Sequence, residues 1–403
     1  MATQRARYIA ELLPQHAEDL AFLWGQRCDA LQSRRHTLRE FAEIGERIEA
    51  HVQGLLVPPA AAVTALLAPQ LASDDRDEAF AAGYALLRRA DPGITREVIA
   101  AFARAGGATL AGLRDAFSLA PFALFAGEMQ AALDHARPHT AAAAAVVLAN
   151  HRVLHGQAPR LAELVEHEDP EVCGWAWRAA GLADARGDSP AHTRPYQHAL
   201  AHPAGWVRSA AWSAAAWTGQ TQALPLLRHV AAQGDAVALR WLAVLGGPED
   251  VPTLQRAALA IDDADARCRL LARFGHPSAL NALVRWMEEP DVALAAASGE
   301  AFARITGIDL RARREQLPVP AGADEFEREM APLVWLPDAA KARAAMDESG
   351  AEWMQGTRWC QGRRVDTEPA PEQLPAFDLE ARWDIGARAA LAGRPVCVPP
   401  PVH

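Results

Sequence analysis

The sequence predicts an all-α protein whose central part is an α-solenoid, a row of helical hairpins stacked on one another. Half of the 403 residues are hydrophobic and alanine is abundant, whereas Val, Ile and Thr are sparse. Alternating apolar and polar runs of the β type are hard to find, which favours helices over strands. From about residue 58 onward, segments of helix length alternate with short turns, and prolines recur at steps of 32 and 33 residues. This repetition predicts stacked helix pairs.

Residues 1–57 predict an N-terminal helical hairpin. The first helix covers roughly residues 16–32, and the second opens with Thr37 and Glu40. That spacing is a capping box, in which each of the two side chains meets the backbone amide of the other residue. The apolar positions of both helices follow three- and four-residue steps. They are Leu20, Leu23, Trp24, Cys28 and Leu31 in the first helix, and Phe41, Ile44, Ile48, Val52 and Leu55 in the second.

Residues 58–310 predict about seven helix pairs. The second helix of a pair often opens with a polar residue followed by proline, because proline at the first helical position loses no hydrogen bond. These openings are Arg137–Pro138, Asp169–Pro170, His202–Pro203 and Glu289–Pro290, with Asp235 and Asp265 opening two more helices. Glycines fall where helices should end, at Gly187, Gly219, Gly246, Gly247 and Gly275. The pattern is typical of paired-helix repeats of the HEAT kind.

The stretch HPAGWVRSAAWSAAAWTG, residues 202–219, combines the largest and smallest side chains in one helix. Alanines let neighbouring helices approach closely, and tryptophans fill the gaps between layers. At about 100° per residue, Trp206 and Trp217 fall roughly 20° apart on the helix, while Trp212 lies roughly 120° away. We therefore expect this helix to present large side chains to two neighbours, as a helix inside a solenoid must.

Residues 311–403 predict a less regular C-terminal segment, because the repeat pattern stops and prolines become frequent. Residues 338–356 and 377–393 still predict helices. The end of the chain, VPPPV at 398–402, predicts an extended polyproline II segment.

Composition and charge limit the classes of function. The net charge of −10 disfavours broad nucleic-acid binding, which needs a basic footprint. Five widely spaced cysteines without a CxxC motif predict reduced thiols in a cytoplasmic protein. The N-terminus lacks the apolar core of a signal peptide, and the apolar stretches predict no membrane span.

No catalytic, metal or cofactor site is predicted. The i,i+4 pair His151 and His155 has the spacing of two metal ligands, but the sequence offers no HExxH arrangement and no evident third ligand. The acidic clusters at 166–169 and 262–265 fall at predicted turns, where carboxylates cap helices and stay solvated. The sequence has no GxSxG motif, P-loop or GxGxxG motif.

Tryptophan gives the best indication of a binding surface. Six of the 12 tryptophans lie within the 67 residues from Trp175 to Trp241. Core filling explains most of them, but tryptophan and arginine are also the residues enriched in interaction hot spots. We therefore predict a partner-binding surface on the concave side of the repeats. Its candidate residues are Trp175, Arg178, Trp206, Arg208, Trp212, Trp217, Arg240 and Trp241.

Three stretches carry a resemblance to a known family. Near the N-terminus the matching residues are Leu23, Trp24, Arg27, Glu46, Arg47, Ala50, His51, Gly54 and Leu55, with Gly45 and Gln53 as departures. FARITGI at 302–308 and EWMQGTRWCQGRRV at 352–365 match two later motifs, with Trp359 and Arg364 as substitutions. In these stretches the chain resembles an uncharacterised proteobacterial family of HEAT-like proteins. The resemblance implies an α-solenoid often encoded near type VI secretion genes.

These observations lead to three hypotheses about function. The first is a non-enzymatic scaffold that binds another protein, in its most concrete form an adaptor or cognate partner of a type VI secretion effector. The second is an immunity protein that masks a toxin, with the acidic chain clamping a basic partner. The third is a HEAT-like enzyme acting on nucleic acid or a small ligand, with Asp169 beside Trp175, Trp206 and Arg208. Self-assembly through exposed repeats also remains open.

Overall fold

The computed structural model describes residues 8–155, 158–185, 196–319, 322–366, 369 and 371–394, and it confirms the predicted all-α solenoid of helix pairs. The chain divides into two compact units, one comprising residues 1–221, 378–386 and 390–403, and the other residues 222–377 and 387–389. The predicted polyproline II segment and Gly187 lie outside the described residues. Among the described cysteines, Cys28, Cys173, Cys268 and Cys360 form no disulfide bond.

The first unit contains an N-terminal hairpin followed by helix pairs. Its helices are α1 (Leu12–Ala30), α2 (Leu38–Leu56), α3 (Ala60–Leu67), α4 (Arg76–Arg88), α5 (Pro92–Arg104), α6 (Gly107–Leu119), α7 (Ala126–Leu133), α8 (Pro138–Asn150), α9 (Pro159–Val165), α10 (Pro170–Asp184), α11 (Tyr196–Leu200) and α12 (Gly205–Trp217). From α3 onward they pair in chain order. The second helix of each pair packs on the second helix of the next, so that α4, α6, α8, α10 and α12 form one continuous row, the second-helix row.

Small residues bring the helices of this row together. Gly112 on α6 faces α4 so closely that an added Cβ would overlap the backbone oxygen of Arg76 and lie 2.9 Å from the nitrogen of Phe80. Gly181 on α10 lies in the same way against Ala214 on α12. These contacts explain the alanine- and glycine-rich sequence, because a larger side chain at such positions would force the helices apart.

The N-terminal hairpin has the predicted packing, and its resemblance motif forms part of that packing. Thr37 and Glu40 make the predicted capping box at the start of α2. Trp24 is fully buried and stacks on Phe80 of α4 at a ring distance of 3.7 Å. Gly54 lies against the His16 ring, with no room for a Cβ. The start of the C-terminal helix α21 (Leu379–Leu391) also packs here, since the Leu379 amide donates to the carbonyl oxygen of His36.

The helix starts follow capping chemistry more closely than the proline pattern. Pro138 and Pro170 occupy first-turn positions as predicted. Pro203 and Pro290 do not, because α12 begins two residues after Pro203 and α18 (Val292–Thr306) begins two residues after Pro290. Asp291, the residue between, accepts the amides of Ala293 and Leu294 and fixes the later start of α18.

Helix starts at aspartates show the same preference. Asp235 caps α14 (Ala236–Leu245) as predicted. The prediction that Asp265 opens the next second helix is wrong by two residues, because Asp263 is the N-cap of α16 (Ala264–Phe274) and Asp265 lies in its first turn. Of two nearby aspartates, the one whose side-chain oxygen accepts an N-terminal amide is therefore the one at which the helix begins.

The second unit repeats the arrangement and adds short strands. Its remaining helices are α13 (Leu224–Ala232), α15 (Val251–Ala260), α17 (Leu280–Trp286), α19 (Glu325–Glu329) and α20 (Ala339–Trp353). Helices α13 to α18 form three pairs, and α16 packs between α14 and α18. The strands among its described residues are β1 (Arg311–Gln316), β2 (Leu333–Pro337), β3 (Trp359–Cys360) and β4 (Arg363–Arg364). Strand β1 pairs with β2 and β3 with β4, both antiparallel.

These strands lie in the segment after residue 310, for which the sequence predicted a less regular structure with helices. The sequence of β1, RARREQ, has no alternating apolar residues and is mostly exposed, so the usual sequence signal of a strand is absent. Its partner β2 packs against α18, where Pro337 covers Gly299. The helices predicted at 338–356 and 377–393 are confirmed as α20 and α21.

The strap, residues 358–362, runs along the C-terminal ends of three helices in the second unit. The guanidinium of Arg358 donates to the carbonyl oxygens of Ala243 and Gly246 at the end of α14, at 2.6 and 2.8 Å. The Trp359 amide donates to Gly275 after α16, and the Gln361 amide donates to Arg304 near the end of α18. Carbonyls at helix ends lack partners within the helix, so the strap satisfies them in three successive repeats.

Among the described residues, no single helix combines the length and apolar character needed to cross a membrane. The bent pair of segments Leu38–Leu56 and Ala60–Ala72 meets those criteria only when the two are taken together.

Candidate functional site

Helix α10 presents Trp175 and Arg178 on the face that its neighbours leave free. On one side, Trp177 and Cys173 donate to the carbonyl oxygen of Val165, the last residue of α9, at 3.1 and 3.2 Å. On another side, Gly174 and Gly181 face α12. Trp175 and Arg178 are three residues apart and therefore share a face, and both are half-buried.

A buried carboxylate lies at the centre of the charged groups beside this face. Asp115 on α6 is almost fully buried, with both oxygens engaged. Its Oδ2 accepts hydrogen bonds from Arg76 Nε and Nη2 at 3.1 and 2.6 Å. Its Oδ1 accepts from Arg114 Nε and Nη2 at 3.0 and 2.7 Å. Each arginine thus donates two hydrogen bonds to one oxygen of the carboxylate, and together the two arginines engage both oxygens.

Arg114 links this carboxylate to α10. Its guanidinium lies 4.7 Å from the ring centroid of Trp175, within cation–π distance. Helix α8 stands between α6 and α10 in the second-helix row, and residues 141–145 of α8 are all alanine. Because alanine side chains are short, the long side chains of Arg114 and Trp175 can meet across α8. Every residue of α8 from Thr140 to Asn150 is buried.

Arg178 differs from the other two arginines because no residue in the described part of the chain accepts a hydrogen bond from its guanidinium. It lies within electrostatic range of Arg114, Asp115 and Arg76. Desolvation by the surrounding protein, and then the positive charge of Arg114, lower the pKa of Arg178 to about 9. The charge on Arg178 is thus poorly compensated in the structure. We call Arg76, Arg114, Asp115, Trp175 and Arg178 the arginine cluster.

Two other titratable groups border the arginine cluster. Cys28 on α1 lies 3.6 Å from Arg76 Nη2, and burial raises the pKa of its thiol to about 11. Burial also raises the pKa of Asp77, which lies within electrostatic range of Arg76. A pKa of about 11 keeps the Cys28 thiol uncharged near neutral pH, so this group adds no counter-charge to the arginines.

Trp206 on α12 provides an apolar surface next to α10. It is 43% exposed, and its six-membered ring covers Gly174, where any Cβ would overlap it. Trp217 is half-buried and, by helix periodicity, lies on nearly the same side of α12. Trp212, on a different side, is 1% exposed and belongs to the core. The predicted division of these three tryptophans between different sides of the helix is therefore present.

The remaining candidate residues serve other structural roles or lie in the second unit. Arg208 Nη1 donates to the carbonyl oxygens of His202 and Pro203, at 2.6 and 2.8 Å, and so holds the turn before α12. Arg240 is exposed and Trp241 half-buried on α14, in the second unit. Of the eight candidates, the structure places Trp175 and Arg178 on one face of α10, and Trp206 on the adjacent helix.

The groups considered for metal or acid–base chemistry have structural partners. His151 Nε2 lies 2.8 Å from the carbonyl oxygen of Phe117, and its ring stacks on Phe122. Asp169 accepts the Glu171 amide at the start of α10 and lies 3.2 Å from His139 Nε2. In the parts of the chain that the structure describes, no three His, Cys, Asp or Glu residues are placed to hold a metal ion.

The sequence reading missed Arg76, Arg114 and Asp115. A signal was present for the last two. They occur in TLAGLRDAFSLA, within a helix that has almost no exposed polar face, and nearly every residue from Thr109 to Ser118 is buried. Adjacent opposite charges in such a helix indicate a buried ion pair. Arg76 gave no signal because it opens α4, where a solvated charge is ordinary.

One comparison with known protein families gives a match. Residues 158–246, which extend from α9 to α14, match the family of HEAT repeats. The matched segment contains all eight candidate residues. No curated protein matches the chain. HEAT repeats commonly mediate protein–protein interaction, and the segment that matches them is the one that carries the candidate residues.

Proposed function

We propose that the protein is a non-enzymatic scaffold that binds another protein through the second-helix row at α10 and α12. The observation that carries this proposal is Trp206, a large aromatic side chain 43% exposed within the HEAT-repeat segment, beside the half-buried Trp175. Tryptophan and arginine are enriched in interaction hot spots, so Trp206 with Arg178 on the adjacent helix has the composition of one.

The most concrete form of this function is an adaptor or cognate partner of a type VI secretion effector. Its support is the resemblance of residues 23–55 and 352–365 to a family often encoded near such systems. The structure gives those residues packing roles in the hairpin and in the strap. The genetic setting implied by the resemblance therefore supports the adaptor, and the motifs themselves support the fold.

An immunity protein is the second candidate, supported by the net charge of −10, which suits fast association with a basic toxin. Deleting the gene in a strain that carries the toxin separates the two. Self-killing supports immunity. Loss of effector export without killing supports the adaptor. Unchanged export and unchanged viability contradict both.

Trp206→Ala tests the binding surface itself. We expect the variant to bind the partner purified with the wild-type chain at least about 30-fold more weakly, because hot-spot tryptophans contribute ~2 kcal/mol or more. The measurement is titration calorimetry, with circular dichroism to establish that the variant folds. Phe22→Ala is the matched control, since Phe22 on α1 is an aromatic residue with 62% exposure. A folded Trp206→Ala variant with wild-type affinity contradicts the proposal.

A further inference from the structure

The arginine cluster contains more cations than its own carboxylate can neutralise. Arg76 and Arg114 occupy both oxygens of Asp115, leaving no evident acceptor site for Arg178. Arg27 is a fourth arginine within electrostatic range of Asp115, but its guanidinium stacks over Phe41 at 4.4 Å. Asp77 is the next carboxylate, and burial raises its pKa. The cluster is therefore locally positive in a chain whose net charge is −10.

Within the described residues no acceptor reaches the Arg178 guanidinium, so a group from outside the chain can occupy that place. The residue lies in the middle of α10, where the backbone amides are used by the helix itself, so the local donors are guanidinium groups. Its side chain is only half-buried and can still be reached from outside. A guanidinium presents donors in a planar fork that matches a carboxylate in bidentate geometry.

We propose that Arg178, flanked by Arg114 and Trp175, is a carboxylate-binding site that receives an Asp or Glu side chain, or the C-terminal carboxylate, of the bound protein partner. This inference rests on the proposed function. Arg76, Arg114 and Arg178 are three cations around one buried carboxylate, so the cluster can take a further anionic group. Trp175 and the neighbouring Trp206 suit the apolar surroundings of a protein side chain better than those of a free ion.

The first experiment uses the full-length chain and simple anions. Acetate is compared with inorganic phosphate and chloride at equal ionic strength, and the melting temperature is measured. We expect acetate to raise the melting temperature of the wild-type chain saturably above its value in chloride. Arg178→Met should remove this response, whereas Arg104→Met, a change at an exposed arginine at the end of α5, should keep it. No stabilisation by acetate, or greater stabilisation by phosphate at equal concentration, overturns the carboxylate site.

The same variant separates a binding role from a packing role. In chloride, without acetate or phosphate, we expect Arg178→Met to melt at the same or a higher temperature than the wild type. The substitution removes a desolvated charge that has no hydrogen-bond acceptor in the described chain, and it keeps the apolar stem. A lower melting temperature would identify Arg178 as a structural residue and overturn the proposal.

Affinity measurements with the purified partner distinguish failure of this inference from failure of the proposed function. With the purified partner, we expect Arg178→Met to lower the affinity at least about tenfold. If Trp206→Ala weakens binding but Arg178→Met does not, the scaffold stands and the carboxylate site falls. If neither variant changes the affinity, both proposals fail.

Discussion

Three tryptophans of α12 have different environments, and the difference follows from their spacing. Trp206 is exposed to solvent on one side and covers Gly174 on the other. Trp217 is half-buried, and Trp212 lies in the core. Helix periodicity predicted which of them share a side, because the angle between two residues of a helix depends only on their separation. It could not predict which side faces solvent, since that depends on how α10 and α12 pack.

Arg178 shows a further limit at the residue scale. The sequence placed it among the candidates through its nearness to Trp175, three residues away. Its distinctive property, a guanidinium without a hydrogen-bond partner in the described chain, depends on Arg76 and Arg114, which come from α4 and α6. Contacts between residues 38 to 102 positions apart leave no local pattern in one sequence, so the arginine cluster was visible only in the structure.

His151 makes stability dependent on pH. Burial lowers its pKa below the ordinary 6.5, against the smaller raising effect of the hydrogen bond to Phe117. The neutral ring is therefore favoured in the folded chain. Its contribution to stability is complete above about pH 6.5 and is lost as the pH falls through the lower folded pKa, because the unfolded chain binds the proton first.

We expect the unfolding free energy of His151→Gln to decrease less between pH 7 and pH 5 than that of the wild type, measured by urea denaturation. His51 and His276 also have lowered pKa values and remain in the variant, so part of the slope persists. The control is His155→Gln, at the exposed second histidine of the same segment. Equal slopes for the wild type and His151→Gln would contradict this assignment.

At the scale of elements, helices were predictable and strands were not. The capping box at Thr37, the helix openings at Pro138, Pro170 and Asp235, and the two C-terminal helices follow from local chemistry, which the sequence displays directly. Strand β1 carries no apolar alternation and owes its conformation to pairing with β2, which packs on α18. Tertiary contacts decide such a segment, so its sequence alone did not indicate a strand.

The strap explains a motif whose role the sequence left open. Residues 358–362 satisfy carbonyl groups at the ends of α14, α16 and α18, and the glycines that end two of these helices allow the close approach. Gly275 and Gly307 have φ values of 70° and 76°, and an added Cβ at either position would clash with the strap backbone. The resemblance at 352–365 is therefore accounted for by helix capping.

Gly112 tests the close packing of the second-helix row. In Gly112→Ala, the new methyl group would overlap the backbone of α4, which cannot move independently of its helix. We expect a loss of ~1–3 kcal/mol of unfolding free energy. Gly45→Ala is the matched control, because Gly45 lies within α2 with nothing within 4 Å of its added Cβ. That change should stabilise by ~0.5–1 kcal/mol.

Both variants are compared by urea denaturation with the slope checked for two-state unfolding. If Gly112→Ala is as stable as Gly45→Ala, the helices α4 and α6 do not approach as closely as the structure shows.

At the scale of the whole molecule, the repeat pattern predicted the architecture and the composition predicted little of the site. A net charge of −10 describes the chain as a whole, whereas the arginine cluster is a local excess of positive charge gathered from three helices. Long-range screening in water makes the local arrangement more important for a bound group than the total charge. A chain with an acidic net charge can therefore still hold an anionic side chain at a locally positive position.

The most direct test of the central claim, that α10 and α12 form the partner-binding surface, is site-specific photocrosslinking in the native host. The photoreactive residue p-benzoylphenylalanine replaces Trp206 in the full-length chain, and in a second strain it replaces Phe22. We expect a crosslinked protein at position 206, with a lower yield when Arg178→Met is added, and no crosslinked protein at position 22. The same protein crosslinked at position 22 but not at 206 would contradict it.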